Sequence, residues 1–325
     1  MKVFGPDAIR RAAGFPELVE PVARALAGFS AGLGEAPITV FAPAGDQGDV
    51  HVKSAWMPGR PVFTVKVGTW FAARRPPSGG YIVVHDATDG EPLALLRDEH
   101  HITDVRTAAA GAVAARELAL ADAAALAVIG TGVQAYLQAL AVCAMRPIEA
   151  VTVSGRNNDA ARRLCSALQA RLPDAAISVA AAEQAVRRAD VIVTATASRQ
   201  PVLEGAWLRP GQHVTAVGAD DPGKAELDVA CFRRADVVVV DSRDLTPRFA
   251  GDLRAAIDQG ATGIDAELGE VVSGRPGRTA PDQITVAKLI GLGVQDLAAA
   301  EAVLPLLRDG GPATPPASAL DLLDA

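Results

Sequence analysis

The 325-residue sequence has few cysteines, few aromatic residues and no excess of basic charge. Cys143, Cys165 and Cys231 are odd in number, widely spaced and in no C-x-x-C pair. That pattern excludes a disulfide framework and a zinc ribbon. The histidines, His51, His85, His100, His101 and His213, show no ligand spacing, so no metal site is expected. Aromatics make up 4% of the chain and apolar residues 50%, so its cores are expected to be filled by alanine, valine and leucine. A net charge of −7 argues against a nucleic-acid surface, which needs a basic face. No apolar run reaches the ~18 residues of a membrane span. The opening MKVFGPDAIRRAAGF has no apolar leader core. The expectation is a reduced, soluble, cytoplasmic protein with no nucleic-acid or membrane partner.

What is present is a change of texture along the chain. Residues 1–118 read as mixed α and β, with a helical stretch from Pro6 to Leu26. Short strands follow at PITVFA (37–42), VHVKSAW (50–56), PVFTVKVGT (61–69) and YIVVHDA (81–87), divided by turns such as Pro58-Gly59. Thr103 and Asp104 are read as opening an alanine-rich helix. From about residue 119 the pattern becomes βα alternation. LAVIG (126–130), AVTVSG (150–155), ISVAA (177–181), DVIVTAT (190–196), HVTAVG (213–218) and DVVVVD (236–241) are near-continuous apolar runs. Such runs suit strands buried on both faces of a parallel sheet. The segment 284–307 reads as helix returning to the first domain. DGGPATPPASA (309–319) reads as a mobile linker before a final LDLLDA. The fold class is therefore α/β. A Rossmann-type doubly wound parallel sheet (119–283) is joined to a discontinuous α+β domain (1–118 plus 284–325).

Gly130-Thr131-Gly132-Val133-Gln134-Ala135 fits G-x-G-x-x-A between a strand and a helix. Gly130 permits the tight turn and Gly132 a close backbone approach to a pyrophosphate. The helix start then favours the phosphate charge. An NAD site wants an acid at the end of the second strand. Here that strand ends Ser154-Gly155-Arg156-Asn157, with a small side chain and a cation and no repelling carboxylate. NADP(H) is thus expected over NAD(H). The plainer alternative is that Arg156 faces solvent and Asn157 caps the next helix.

Several stretches together resemble the ornithine cyclodeaminase/mu-crystallin family. They are HITDVRTAAAGAVAARELA (101–119), VIGTGVQAYLQ (128–138), ATAS-x-x-PVL (195–203), VGADDPGKAELD (217–228) and ITVAKLIGLGVQDLAAA (284–300). The resemblance implies an NAD(P)-dependent oxidoreductase working on the C–N bond of a small amino or imino acid, as a ketimine or pyrroline-carboxylate reductase or a cyclodeaminase. It also implies a homodimer formed through the discontinuous domain. Crystallin-type relatives leave open a second reading, an NADPH-binding protein without turnover.

By the same resemblance, the arginine of T-D-x-R-T-A is Arg106, the lysine on the strand before the Gly/Pro loop is Lys66, and the acid before P-G-K is Asp220. Lys224 and Glu226 follow it. Arg106 offers a planar fork to a substrate carboxylate and Lys66 a point charge. Asp220 can bind an ammonium or iminium and move its proton. Thr196, Ala197, Val217 and Lys224 complete the expected cofactor contacts. Without the resemblance, Arg106 could pair with Asp104 or Glu99, Lys66 could face solvent, and Asp220 could simply shape a turn. The chain also departs from the family pattern. PITVFA carries no arginine, so Lys53 on the next strand is the nearest further cation. The loop TWFAARRPPSGG brings Arg74 and Arg75, and Leu289 stands where a serine is common.

Overall fold

The computed structural model describes residues 1–308. The expected linker 309–319 and the closing LDLLDA lie outside the described residues. The described chain forms two compact units, one from 1–109 with 292–308 and the other from 110–291.

The first unit begins with β1 (Lys2–Phe4), α1 (Pro6–Ala12) and α2 (Phe15–Ser30). The single helix expected over 6–26 is thus two. Ala13 and Gly14 take extended conformations between them, and Pro16 suits the first turn of α2. Then come β2 (Ile38–Phe41), β3 (Gly48–Ala55), β4 (Val62–Phe71), β5 (Ser78–Asp86) and β6 (Pro92–Leu96). They form a six-stranded sheet ordered β1-β6-β5-β4-β3-β2, antiparallel except for β1 beside β6. Lys53, Ala55, Val62, Thr64, Lys66, Ile82, Val84, Ala94 and Leu96 are buried on one face, in the alternation a half-covered sheet requires. The chain leaves this unit inside α3 (His101–Leu118). That helix starts ahead of the expected Thr103, because the buried Asp98 carboxylate accepts the Ile102 N–H at 2.8 Å.

The second unit continues through β7 (Ala125–Ile129), α4 (Val133–Met145), β8 (Ala150–Ser154), α5 (Asn158–Gln169), β9 (Ala176–Val179) and α6 (Ala182–Arg188). It goes on with β10 (Val191–Thr194), β11 (His213–Ala216), α7 (Val229–Arg234), β12 (Val237–Val240), α8 (Thr246–Phe249) and α9 (Gly251–Asp258). It ends with β13 (Ala266–Glu267), α10 (Leu268–Val272) and β14 (Thr285–Lys288). All eight strands pair in parallel, in the order β13-β12-β14-β11-β10-β7-β8-β9. Strand order reverses between β7 and β10, the switch point at which doubly wound sheets bind ligands.

The segment expected to be helix from 284 begins instead as a strand. Residues Thr285–Lys288 are a buried strand between β11 and β12, and only after Gly291 does the chain return to the first unit as α11 (Gly293–Arg308). Thr285 and Val286 are β-branched and favour the strand, and Gly291 takes a left-handed φ of 75° that ends it. In the first unit α11 lies against α2, β3 and β4. Gly293 makes that possible, since a Cβ there would run into the Ser54 carbonyl.

His213 is buried between the hydroxyls of Thr285 at 2.9 Å and Thr215 at 2.8 Å, tying β11 to β14. Burial, with Arg278 and Arg146 adding to it, pushes its ring down to about 3, so it stays neutral. No described helix is long and apolar enough to cross a membrane.

Gly130 has φ 132°, and a Cβ on it would strike the Ala195 carbonyl beyond β10. Gly130→Ala is expected to lower stability by roughly 1–3 kcal/mol. Thermal unfolding checks it, and an unchanged melting temperature would contradict the crowded turn.

Candidate active site

In the first unit the expected cations gather on one carboxylate. Lys53 and Lys66 are cross-strand neighbours on β3 and β4. Arg106 comes from α3 and Asp296 from the first turn of α11, where the helix dipole favours an anion. All four side chains are buried. Arg106 Nε lies 2.9 Å from Asp296 Oδ1, and Lys66 Nζ lies 2.8 Å from Oδ2. Arg106 Nη1 also donates to Gln295 Oε1 at 3.0 Å, and Lys66 Nζ to Thr103 Oγ1 at 3.2 Å. Burial alone would raise the Asp296 carboxyl, but Arg106, Lys66 and Lys53 outweigh it and hold the group below its ordinary value. Burial lowers the Lys66 ammonium, against the pull of Asp296 and with help from Arg106. The plainer alternatives for Arg106 and Lys66 are not what the structure shows, whereas Asp220 does stand at a turn, paired with Lys224. Asp104 pairs with His100, Glu99 pairs with Arg10, and Lys66 is not on a solvent face.

The arrangement leaves cationic surface to spare. Lys66 and Arg106 share the single charge on Asp296, while burial pushes the nearby Asp98 carboxyl up towards its neutral form. Among the described residues none accepts a hydrogen bond from Arg106 Nη2. A buried guanidinium edge beside a lysine is suited to a small carboxylate.

In the second unit the glycine turn follows β7. Gly130 N donates to Ser154 O at 2.9 Å, joining the ends of β7 and β8. Gly132 precedes α4, no side chain caps that helix, and the space where a Gly132 Cβ would stand is open. Thr131, Val133 and Gln134 line the same turn. Ser154 is buried, whereas Arg156 is exposed and makes no ion pair among the described residues. Asn157 Oδ1 accepts from the Asp159 and Ala160 N–H groups at 2.9 and 3.1 Å, which makes it the cap of α5.

At the ends of β10 and β11 stand Thr196, Ala197 and Val217, and beyond them Asp220. Lys224 Nζ sits 2.7 Å from Asp220 Oδ1 and 3.2 Å from Asp221 Oδ2. Burial would lower that ammonium, but the two aspartates hold it above its ordinary value. Lys66 and Asp220, both expected in catalysis, belong to different units.

Of two buried carboxylates, Asp296 escaped the sequence reading and Glu226 was named there without a role. Asp296 sits in the first turn of a mostly apolar, alanine-rich helix, and the available signal was an acid beside residues that the helix buries. Glu226 lies in the quoted VGADDPGKAELD, yet its full burial has no sequence signature.

Fold and site together define a two-unit α/β protein with a Rossmann-type nucleotide-binding sheet. The model of the ornithine cyclodeaminase/mu-crystallin family matches residues 8–310, and the chain belongs to that family. It is 42% identical over 262 residues to an uncharacterized cyclodeaminase, y4tK, of Sinorhizobium fredii, covering 78% of this chain and 79% of that one. The Delta(1)-pyrroline-2-carboxylate reductase of Thermococcus litoralis, solved with NADH and L-proline, superposes with a TM-score of 0.90. It is 29% identical, with 96% of this chain and 99% of that one covered. An archaeal alanine dehydrogenase dimer with bound NAD gives a TM-score of 0.88 at 28% identity, covering 96% and 98% of the two chains.

Asp296→Asn leaves buried cations uncompensated and is expected to cost about 3–5 kcal/mol. The folded Asp296 carboxyl lies below its unfolded value of about 3.9, so its contribution is present above that pH and is lost as pH falls through the folded value. Denaturant unfolding at several pH values should show the wild-type advantage shrinking only below about pH 4. An advantage that already fades at neutral pH would contradict the pairing.

Proposed function

We propose that this protein is a nicotinamide-dependent oxidoreductase acting at the C–N bond of a small amino or imino acid, with NADP(H) preferred and reduction the favoured direction. The observation that carries the reading is the buried Lys66–Asp296–Arg106 assembly with its spare guanidinium edge. It is a receptor for a carboxylate next to the reacting carbon, in a family of amino- and imino-acid enzymes.

The residues of the second unit fit the cofactor. The uncapped start of α4 and the open space at Gly132 suit a pyrophosphate held by Gly130, Thr131, Gly132, Val133 and Gln134. Ser154 and the exposed Arg156 suit a ribose 2′-phosphate, with no carboxylate between them. Thr196, Ala197 and Val217 stand at the strand ends where the nicotinamide half belongs. When bound, the nicotinamide accepts or gives a hydride.

The chain's own residues then have separable tasks. Arg106 and Lys66, with Lys53 beside them, fix the carboxylate and so the orientation of the adjacent carbon. The Asp220 carboxylate, itself held by Lys224, binds an ammonium or iminium and takes or returns the proton on nitrogen. A reductive substrate arrives as an iminium already carrying that proton.

Cyclodeamination is the second reading, favoured by the similarity to y4tK. A steady-state assay separates the two. Stoichiometric NADPH loss with cyclic imines marks the reductase. Ammonia release from a diamino acid without net cofactor change marks the cyclodeaminase. Binding of NADPH with no turnover across both panels would leave a nucleotide-binding protein. Arg156→Ala is expected to raise the KM for NADPH at least about tenfold while leaving that for NADH within twofold, as loss of a charge-assisted phosphate contact implies. An unchanged KM for NADPH would remove the case for NADP(H).

A homodimer follows the same reasoning. The uncovered face of the six-stranded sheet carries Phe41, Val52, Val65, Val67, Tyr81 and Val83, half-buried or exposed and paired across neighbouring strands. A contiguous apolar face of that kind marks an interaction surface. The archaeal relative solved as a dimer supports a second copy as its occupant. Val67→Lys should shift the sedimentation coefficient to that of a monomer, and an unaltered dimer would place the contact elsewhere.

A further inference from the structure

We infer that Glu226 is a positioning residue. Its buried carboxylate clasps the loops after β10 and β11 together and thereby sets both the cofactor wall and Asp220. The inference rests on the function proposed above.

The geometry is specific. Glu226 is wholly buried. Its Oε1 accepts from the Thr196 backbone N–H at 2.6 Å and from the Thr196 hydroxyl at 2.9 Å. Its Oε2 accepts from the Gly218 N–H at 2.7 Å. Thr196 lies beyond the end of β10 and Gly218 beyond the end of β11. The register of those strands runs from Val191 with His213 to Thr194 with Ala216 and stops there. The carboxylate therefore takes over just past the last paired residues. Gly218 is needed for the approach, because a Cβ there would collide with the Thr196 backbone and crowd Glu226 Oε1.

Behind the clasp is a second layer of charge. Asp252 Oδ2 accepts from the N–H groups of Glu226 at 3.2 Å and Leu227 at 3.3 Å. Lys288 Nζ lies 3.5 Å from the same oxygen, wholly buried and making no hydrogen bond of its own. Burial raises the Glu226 carboxyl, and Lys288 works against that rise. Gly251, beside Asp252, lets the Asp220–Lys224 turn lie close, since a Cβ there would strike the carbonyls of Pro222 and Lys224.

Holding the sheet together does not require this. Buried ion pairs are replaceable by apolar residues at little or no cost in stability. Here the Glu226 carboxylate reaches Thr196 and Gly218, the chain neighbours of Ala197 and Val217, with Gly218 two residues short of Asp220. That is where a ligand-facing loop must be held without a ladder to hold it. A carboxylate is the group that accepts from both loops at once, because each oxygen is an acceptor.

The test is Glu226→Gln in the full-length protein. The amide keeps the size but turns one acceptor into a donor, so it can serve Thr196 or Gly218 and not both. The expected result is a kcat at least about tenfold lower and NADPH binding, read by nucleotide fluorescence, weakened about threefold or more. The KM for the imino acid should stay within twofold. Breaking a buried charge cluster lowers the melting temperature, so these readouts are taken on protein that circular dichroism shows to be folded. Lys288→Met touches none of the cofactor residues and should weaken NADPH binding in the same direction but less. The double variant should be no worse than Glu226→Gln alone. Unchanged kcat and NADPH affinity in folded Glu226→Gln would overturn the inference, as would losses that only track the folded fraction. Should that variant fail to fold, Lys288→Met decides alone, and unchanged NADPH binding overturns the idea. A wild-type protein that binds no nicotinamide nucleotide would overturn the functional reading itself. Binding by wild type with an unaffected Glu226→Gln would overturn only the clasp.

Discussion

The Asp296 carboxylate divides its two oxygens between Lys66 and Arg106, and the chemistry of the first unit depends on that division. Two cations from a strand and a helix far apart in the chain would repel each other in a buried space. One anion between them removes the repulsion and fixes their heads relative to each other. It also spends one edge of the guanidinium and leaves another. In the function proposed above, a carboxylate arriving from solution would meet donors already aimed and partly desolvated, with little lost in ordering them.

The second unit solves a different problem. Its parallel sheet is apolar and self-sufficient up to the strand ends, where hydrogen-bond ladders stop and ligand loops begin. Among its buried polar groups, several stand there and at seams between strands. His213 bridges β11 and β14, Asp241 accepts from the Ile290 and Gly291 N–H groups at 3.0 and 2.7 Å, and Glu226 joins the loops after β10 and β11. Asp241 and Glu226 thus replace missing backbone partners, which is the accounting that buried N–H groups demand.

Much of this was legible in the residues. The apolar βα alternation announced the parallel sheet, and G-x-G-x-x-A announced its first turn. Lys66, Arg106 and Asp220 are candidates through family resemblance, since spacing alone leaves each an ordinary strand, helix or turn residue. What escaped has physical causes. ITVA at 284–287 is apolar, and a short apolar run has no period that separates strand from helix. The break before residue 15 rests on one alanine and one glycine, a weak local signal beside the long helical pattern around it. Asp296 and Glu226 act through partners 190 and 30 residues away, and such pairings have no local pattern to read.

The place of β14 has a consequence for how the chain can be made. β14 alone joins β11 to β12, so β12 and β13 have no seat in the sheet until residues 285–288 exist. During synthesis the second unit therefore waits for a segment that immediately precedes α11, the helix that brings Asp296 to the first unit. Among the described residues the second unit is one unbroken stretch, 110–291, whereas the first unit closes only when α11 has followed it and cannot be cut out whole.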